Sequence, residues 1–530
     1  MHPDFVIVGA GSGGCVLARQ LLDAGARVLL LEAGGPANHP LIMAPAGFPK
    51  LFKSKFDWAF YTTPQSHLGG RRLYWPRGKV LGGSSATNAT IYIRGSQQDF
   101  DGWSGAPGWG EGWNWADVLP VYRSLERFRG EESETRGVGG HLHVGQRVAS
   151  HELSHAFVES AARVLDAPVS PGFNDGLHAG AGLYESNHLR GVRQSAFKAF
   201  VAPVLKHPNL TVLPHAQMLE LLWEGSRVVG LSFRHAGKVK EVRAGGVVLA
   251  AGVVLAAGAV QTPQLLMRSG IGPRAELEKH GIAVRVHSPG VGGNLQDHPA
   301  VPVIFNSTIP SLDAANELAA LAEWAIRRSG PLTSNVAEAG AYAHARPGLS
   351  RSDPPDLQYH FGPAYFRDHG FRTAPGHHFT VGPVLVDVHS RGRLSLHSAD
   401  PDAPPLIDPK YLSDERDRAS LIAGVRLARR IAAESPLSGF SGGEVLPGLA
   451  AQSDAEILAH IEQEAATLYH PVGTAALGDT DSSVVDVHLA VRGAQGLWVA
   501  DASVMPRIIH ANTNATAMMI GARAAQWVTL

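Results

Sequence analysis

Two unbroken apolar runs stand near the start of the chain, FVIV at residues 5–8 and VLLL at residues 28–31. Neither has a polar face, so each is expected as a strand buried on both sides. Between them Val16, Leu17, Leu21 and Leu22 return at the spacing of one helix face. The pattern predicts a β-α-β unit with parallel strands. Residues 210–214, 218–223, 228–234 and 239–243 are short apolar or alternating runs set off by glycine and polar residues, and together read as a β-meander. Residues 247–260 form a glycine-broken apolar stretch, expected as a buried strand and turn. From about residue 301 to residue 460 the texture changes, with helical patterns at 312–329 and 421–433 and strand patterns at 357–363, 379–388 and 390–396. A last buried strand is expected at 498–500 and a closing helix at 516–527.

The loop after the first strand carries chemistry. FVIV runs straight into Gly9, Gly11 and Gly14, a G-x-G-x-x-G turn, and Glu32 stands at the end of the second strand. Gly9 permits the tight turn, Gly11 lets backbone approach a pyrophosphate, and Gly14 lets the helix pack on the strand. The helix N-terminus then offers free N–H groups to the phosphates. Glu32 can accept hydrogen bonds from the adenosine ribose. Strand, loop, helix, second strand and acid occur in order, which predicts a dinucleotide site; the motif alone does not separate NAD from FAD. A second glycine loop follows in RGKVLGGSSATNAT, residues 77–90. Gly82, Gly83 and Ser84 read either as a nest of backbone N–H groups for an anion or a flat ring edge, or as a helix cap through Ser84 or Ser85.

The 530 residues are 44% hydrophobic and 18% charged, an ordinary globular composition with room for two or three domains. A net charge of −1 without a long basic run excludes a nucleic-acid partner from the expectations. Cys15 is the single cysteine, so no internal disulfide forms and cysteine metal sites drop out. Its position after the glycine loop reads as packing. No metal site is expected, because the paired histidines at 377–378 and at 141 and 143 lack acidic or cysteine partners in metal-like spacing. The first strand begins close to Met1, leaving no room for a signal peptide, and no apolar stretch reaches the roughly twenty residues of a membrane span. A cytoplasmic location is therefore expected.

The segment GKVLGGSSATNATIYIRG, taken with the N-terminal fingerprint, resembles the glucose–methanol–choline (GMC) oxidoreductases. Four later stretches agree: GAVQTPQLLMRSGIG at 258–272, GVGGNLQDH at 290–298, HPVGT at 470–474, and DASVMP at 501–506 through Asn512, Thr513 and Asn514. The resemblance covers essentially the whole chain. It implies an α/β and α+β protein, with a Rossmann-like FAD-binding domain and a second substrate domain built on an antiparallel sheet. The implied FAD domain is discontinuous, at 1–150, 190–300 and 462–530, and the substrate domain takes 151–189 and 301–461. For the cofactor it implies contacts from Gly9, Gly11, Ser12, Gly14, Glu32, Ala33, Gly82, Gly83, Ser84, Asn88, Ala89, Met218, Ala257, Asp501, Ala502, Asn512 and Thr513. Met218 belongs to backbone near adenine, and Asp501 is expected at the ribityl or pyrophosphate region through backbone and carboxylate.

The same resemblance assigns the chemistry. His470 is expected as the active-site base, taking the alcohol proton at neutral pH while the hydride leaves to the flavin. Asn512 is expected to hold the substrate oxygen and the developing alkoxide through its amide. Asn514 is expected nearer flavin or backbone, and His510 is expected to point elsewhere. The function implied is FAD-dependent oxidation of a primary alcohol to an aldehyde, with electrons passed to oxygen, a quinone or another acceptor. The alternative is a decarboxylase or lyase, as in the light-driven fatty-acid decarboxylases of the same family. Those need a cysteine in the strand aligned with residues 384–388 and lack the histidine at 470, whereas this chain has Val386 and His470. A choline-like substrate would want an acid and an aromatic cage, for which Trp58, Tyr61, Glu338, Tyr359, Phe361, Tyr365 and Phe366 are candidates, and the same residues suit an aromatic-alcohol pocket equally.

Two features depart from the family pattern. Thr87 stands where members carry an aliphatic residue, or a histidine that bonds covalently to flavin, so FAD is expected to be non-covalent. The hexapeptide VVLAAG occurs twice in tandem, at 247–252 and 253–258. Only one copy can occupy the cofactor-facing strand, and the second is expected there because it leads into the following helix.

Overall fold

The computed structural model describes residues 2–104, 112–245, 251–314 and 317–529. Five parallel strands form the sheet beneath the glycine loops, in the order Leu210–Leu213, Val28–Leu31, Phe5–Val8, Gly252–Leu255 and Leu497–Val499. Phe5 pairs with Val28 on one side and Gly252 on the other, and Val8 pairs with Leu31 and Leu255. All four residues of Phe5–Val8, Val28–Leu31 and Gly252–Leu255 are buried, as unbroken apolar runs require. The Ser12–Asp23 helix buries Val16, Leu17, Leu21 and Leu22. It packs against the closing helix, Asn514–Val528, where bare backbone meets bare backbone: a Cβ on Gly521 would lie 2.3 Å from the Gly13 carbonyl oxygen.

The Leu210–Leu213 strand corrects one expectation. It does not open a meander but pairs in parallel with Val28–Leu31, at the edge of the central sheet. The three runs after it, Ala216–Glu224, Arg227–His235 and Lys238–Arg243, form the antiparallel meander. The second hexapeptide copy supplies the central strand, and the Gly258–Arg268 helix follows it directly. Most of the first copy lies outside the described residues.

A larger antiparallel sheet carries the other half of the molecule, with its main path running Ser441–Leu446, Val303–Ser307, His378–Leu385, Leu357–Gly362, Ala339–Ala343 and Ala181–Leu183. Along Leu357–Gly362 the two faces differ. Leu357, Tyr359 and Phe361 are fully buried, with Tyr359 donating to Gly424 O and Phe361 stacked on Phe157. Gln358, His360 and Gly362 alternate with them and face the other way. The Glu415–Ala433 helix, started by an Asp414 side-chain cap, covers the first face, and its Gly424 meets Leu357 and Pro383. No helix among the described residues is long and apolar enough to cross a membrane.

Candidate active site

One cavity of about 910 Å³ runs between the two sheets, near the upper end of the roughly 300–1,000 Å³ usual for ligand sites. Its first end lies at the parallel sheet. Gly9 sits at φ +103°, and a Cβ there would meet Ala256 O at 2.4 Å, so only glycine turns the chain here. Gly11 is different: it has φ −83°, and a Cβ would find only Ala256 O, at 3.8 Å. The space above it is kept bare for something outside the chain. Glu32 accepts from Ala10 N at 3.0 Å and Gly34 N at 2.8 Å, and burial pushes its carboxyl up to about 7. The second loop stacks on the first, with Gly82 N donating to Ala10 O at 2.7 Å and Gly83 beside Gly11.

Gly9, Gly11, Ser12, Glu32, Ala33, Gly83, Ser84, Asn88, Ala89, Met218, Ala257, Asp501, Ala502, Asn512 and Thr513 all line this cavity. Gly14 and Gly82 stand behind its wall. A Cβ on Gly14 would lie 2.0 Å from Gly9 O, so its glycine serves helix-to-strand packing. The Asp501 carboxylate is turned into the protein, accepting from Gly258 N, Thr262 Oγ1 and Ser503 N at 2.9, 2.6 and 2.8 Å. It ties the Gly258–Arg268 helix to the end of the last parallel strand rather than reaching outward. Asn514, held by Ser12 Oγ at 2.7 Å, keeps a buried Nδ2 donor without a partner among the described residues. Bare backbone at Gly11, an acid at the strand end and an orphaned donor together fit a dinucleotide. Cys15 is buried, bonds Ala10 O and is pushed well up by burial, as a packing residue should be.

The other end of the cavity holds His470 and Asn512. Asn512 Oδ1 accepts from Gln358 Nε2 at 3.4 Å, which leaves its Nδ2 to face His470 Nε2 at 3.3 Å. His470 Nδ1 lies 3.0 Å from His298 Nδ1. The amide donor at Nε2 assigns the His470 proton to Nδ1, where it is donated to His298, so Nε2 carries the lone pair. Burial holds the His470 imidazole well below its ordinary value, and His298, His360 and Arg77 add to that.

The turn that presents His470 is strained and braced. Tyr469 has φ +70°, uncommon for a side chain of its size. Asp297 accepts from His470 N at 2.7 Å, from Thr467 Oγ1 at 2.5 Å and from the Tyr411 hydroxyl, and Arg77 donates to Tyr469 O at 2.6 Å. Sequence reasoning misses His298 and His360, although both leave a legible signal. His298 closes the GVGGNLQDH segment, and Gln358 and His360 alternate as polar residues in an otherwise apolar strand. His360 lines the cavity with its Nε2 unpartnered among the described residues, and burial lowers its imidazole to about 3.

His510 stays outside the cavity, as its turn suggests. Its Nδ1 meets Asp99 Oδ1 at 2.5 Å and its Nε2 lies 3.8 Å from Asp387 Oδ1. Burial alone would lower the imidazole, but the two carboxylates outweigh it and push it up to about 9. A folded value above the unfolded one, near 6.5, stabilises fully below that pH and is lost as pH rises through 9. The melting temperature is therefore expected to fall between pH 6.5 and 9, with that part of the slope missing from His510→Gln in thermal unfolding followed by circular dichroism.

Known proteins resemble the chain along nearly its whole length. Two sequence models of the GMC oxidoreductase family match residues 3–300 and 388–521. The chain is 41% identical to "Alcohol dehydrogenase [acceptor]" of Pseudomonas putida, over 99% of this chain and 95% of that protein. It is 37% identical to "Oxygen-dependent choline dehydrogenase" of Brucella anthropi, over 100% and 96%. A solved formate oxidase variant of Aspergillus oryzae RIB40, studied for its FAD modification, superposes with a TM-score of 0.91 at 28% identity, covering 99% of this chain and 98% of that one.

Proposed function

The chain belongs to the GMC oxidoreductase family, FAD-dependent enzymes acting on CH–OH groups, and within it we propose that this protein oxidises a primary alcohol to an aldehyde, with His470 taking the hydroxyl proton. The observation that carries this reading is the facing pair of His470 Nε2 and Asn512 Nδ2, 3.3 Å apart, at the inner end of a cavity whose other end is the dinucleotide loop. Gly11, Ser12, Glu32, Gly83 and Ser84 would hold FAD without a covalent bond, and the cofactor would supply the hydride acceptor.

The residues do the rest. A substrate hydroxyl that bridges the pair accepts the Asn512 N–H in place of His470 Nε2 and donates its own proton to Nε2. As the O–H bond breaks, negative charge builds on that oxygen, and the amide is already oriented by Gln358 to meet it. The proton that reaches Nε2 leaves an imidazolium whose Nδ1–H remains bonded to His298. Asp297 and Arg77 hold the strained turn, so the ring does not swing away during transfer. The carbinol hydride would leave to FAD as the aldehyde forms, and its two electrons would go on to oxygen, a quinone or another acceptor.

Because His470 stays neutral far below its ordinary value, the base is ready throughout the neutral range. The acid limb of kcat/KM is expected well below pH 6.5, with a flat profile from there to neutrality. Measurement with a series of primary alcohols, run in parallel with oxygen and an artificial acceptor, tests the reading. Turnover of a fatty acid only under illumination would favour the decarboxylase instead. Nothing in the site favours that outcome, since Val386 is an aliphatic core residue and Cys15 lies beneath the glycine loop.

A further inference from the structure

On the Glu317–Arg327 helix the side chains turned to solvent are largely the apolar ones. Leu318, Leu321 and Ile326 are 80%, 42% and 81% exposed, and Ala322 and Ala325 stand exposed between them. With about 3.6 residues per turn, these five share one side of the helix. The opposite side is already occupied: Ala320 and Trp324 are buried, and Trp324 Nε1 donates to Gly191 O at 2.8 Å. Single apolar side chains on a surface need no explanation, but a stripe of five along one helix marks a place where something docks.

Cations gather at the end of the stripe. The exposed Arg327 closes the helix and Arg328 follows it, with its guanidinium 4.2 Å from the centre of the Trp324 ring and its Nη1 buried without a partner among the described residues. Gly191 lies against the Arg328 carbonyl, which brings the exposed Arg190 alongside. Lys198 is near enough that, after burial, Arg328 lowers its ammonium. The Glu323 carboxylate is taken up by Ser329 Oγ at 2.9 Å. An apolar stripe with a basic end suits a helix lying in the surface of an anionic bilayer. A second copy of the chain fits less well. A helix of 11 residues is about 16 Å long, and its stripe falls far short of the roughly 800 Å² per partner that a stable protein pair buries. We propose that this helix docks the protein reversibly on an anionic lipid surface.

The position gives docking a use. The Pro331–Thr333 turn packs on this helix and on Pro45–Leu51, whose Phe48 lines the cavity, and Val336 and Ala337 just beyond the turn line it too. On the reading that the site oxidises alcohols, docking sets the cavity wall beside the phase where a lipid-soluble alcohol or quinone is concentrated. Docking itself is measured without substrate, so it stands or falls apart from that reading.

The FAD-loaded full chain is sedimented with sucrose-loaded vesicles. On equal parts phosphatidylglycerol and phosphatidylcholine it is expected to bind at least about 10-fold more tightly than on phosphatidylcholine alone, and to be released as salt rises from about 0.05 to 0.5 M. Ala322→Glu/Ile326→Glu places two acids in the stripe without touching the core. It is expected to weaken binding about 10-fold or more, with melting temperature and flavin content close to the parent. Arg327→Glu is expected to weaken binding to the anionic vesicles alone. Protein that stays in the supernatant with every vesicle, or a double variant that binds like the parent, overturns the proposal. A parent dimer in sedimentation velocity that the double variant converts to monomer also overturns it, because the stripe then belongs to a second copy.

Discussion

Replacing His470 with glutamine is expected to slow reduction of the bound flavin by a primary alcohol by about 10²–10⁴-fold, the range usual for losing a positioned base. Glutamine can keep a polar contact with the Asn512 amide and fill most of the ring's volume. Its side-chain amide has no basic nitrogen, so the hydroxyl proton has nowhere to go. The turn around it rests on backbone bonds, from His470 N to Asp297 and from Arg77 to Tyr469 O, and these survive the change. FAD content should therefore match the parent. Anaerobic stopped-flow absorbance reads the rate, and the flavin-to-protein ratio reads the cofactor. A variant that loses rate and flavin together would show that position 470 supports the structure rather than the proton transfer.

Gly11→Val is expected to give a folded, soluble and colourless protein. The three glycines of the first loop look alike in the sequence but differ in their surroundings. A side chain at Gly9 or Gly14 collides with backbone, at 2.4 and 2.0 Å, and would disturb the sheet itself. At Gly11 the backbone is in an ordinary extended conformation and the nearest protein atom to a Cβ is 3.8 Å away. A Cβ there meets no backbone closer than 3.8 Å, and the rest of a branched side chain is expected to fill the space a pyrophosphate needs. Circular dichroism and melting temperature should stay close to the parent, while FAD affinity measured by fluorescence quenching drops beyond detection. Wild-type affinity in this variant would place the dinucleotide elsewhere.

Legibility in the sequence depends on how local each signal is. Phe5–Val8 and Val28–Leu31 are legible to the residue, because a fully buried strand is an unbroken apolar run. The same texture misleads at Leu210–Leu213. That run sits next to a meander in sequence, but its hydrogen bonds go to Val28–Leu31, a pairing that no local pattern encodes. The hexapeptide repeat is resolved by its downstream neighbour, since only the second copy leads directly into the Gly258–Arg268 helix. In the site, His470 and Asn512 stand out through their motifs. Their supports do not: His298 lies 172 positions from His470 in the chain and Gln358 lies 154 from Asn512, and only the tertiary fold brings them within hydrogen-bond reach. Asp501 shows the converse. Its place at a strand end draws attention, yet its carboxylate answers to Gly258, Thr262 and Ser503.

If the imidazole and amide at the inner end of the cavity act on an alcohol beside bound FAD, one half-reaction suffices to show it. The yellow protein is titrated anaerobically with 3,3-dimethylbutan-1-ol, with flavin absorbance and aldehyde followed together. The flavin band is expected to bleach, with one aldehyde formed per flavin. A fully loaded protein that stays yellow with this and every other primary alcohol would refute the assignment of His470 and Asn512 to alcohol oxidation.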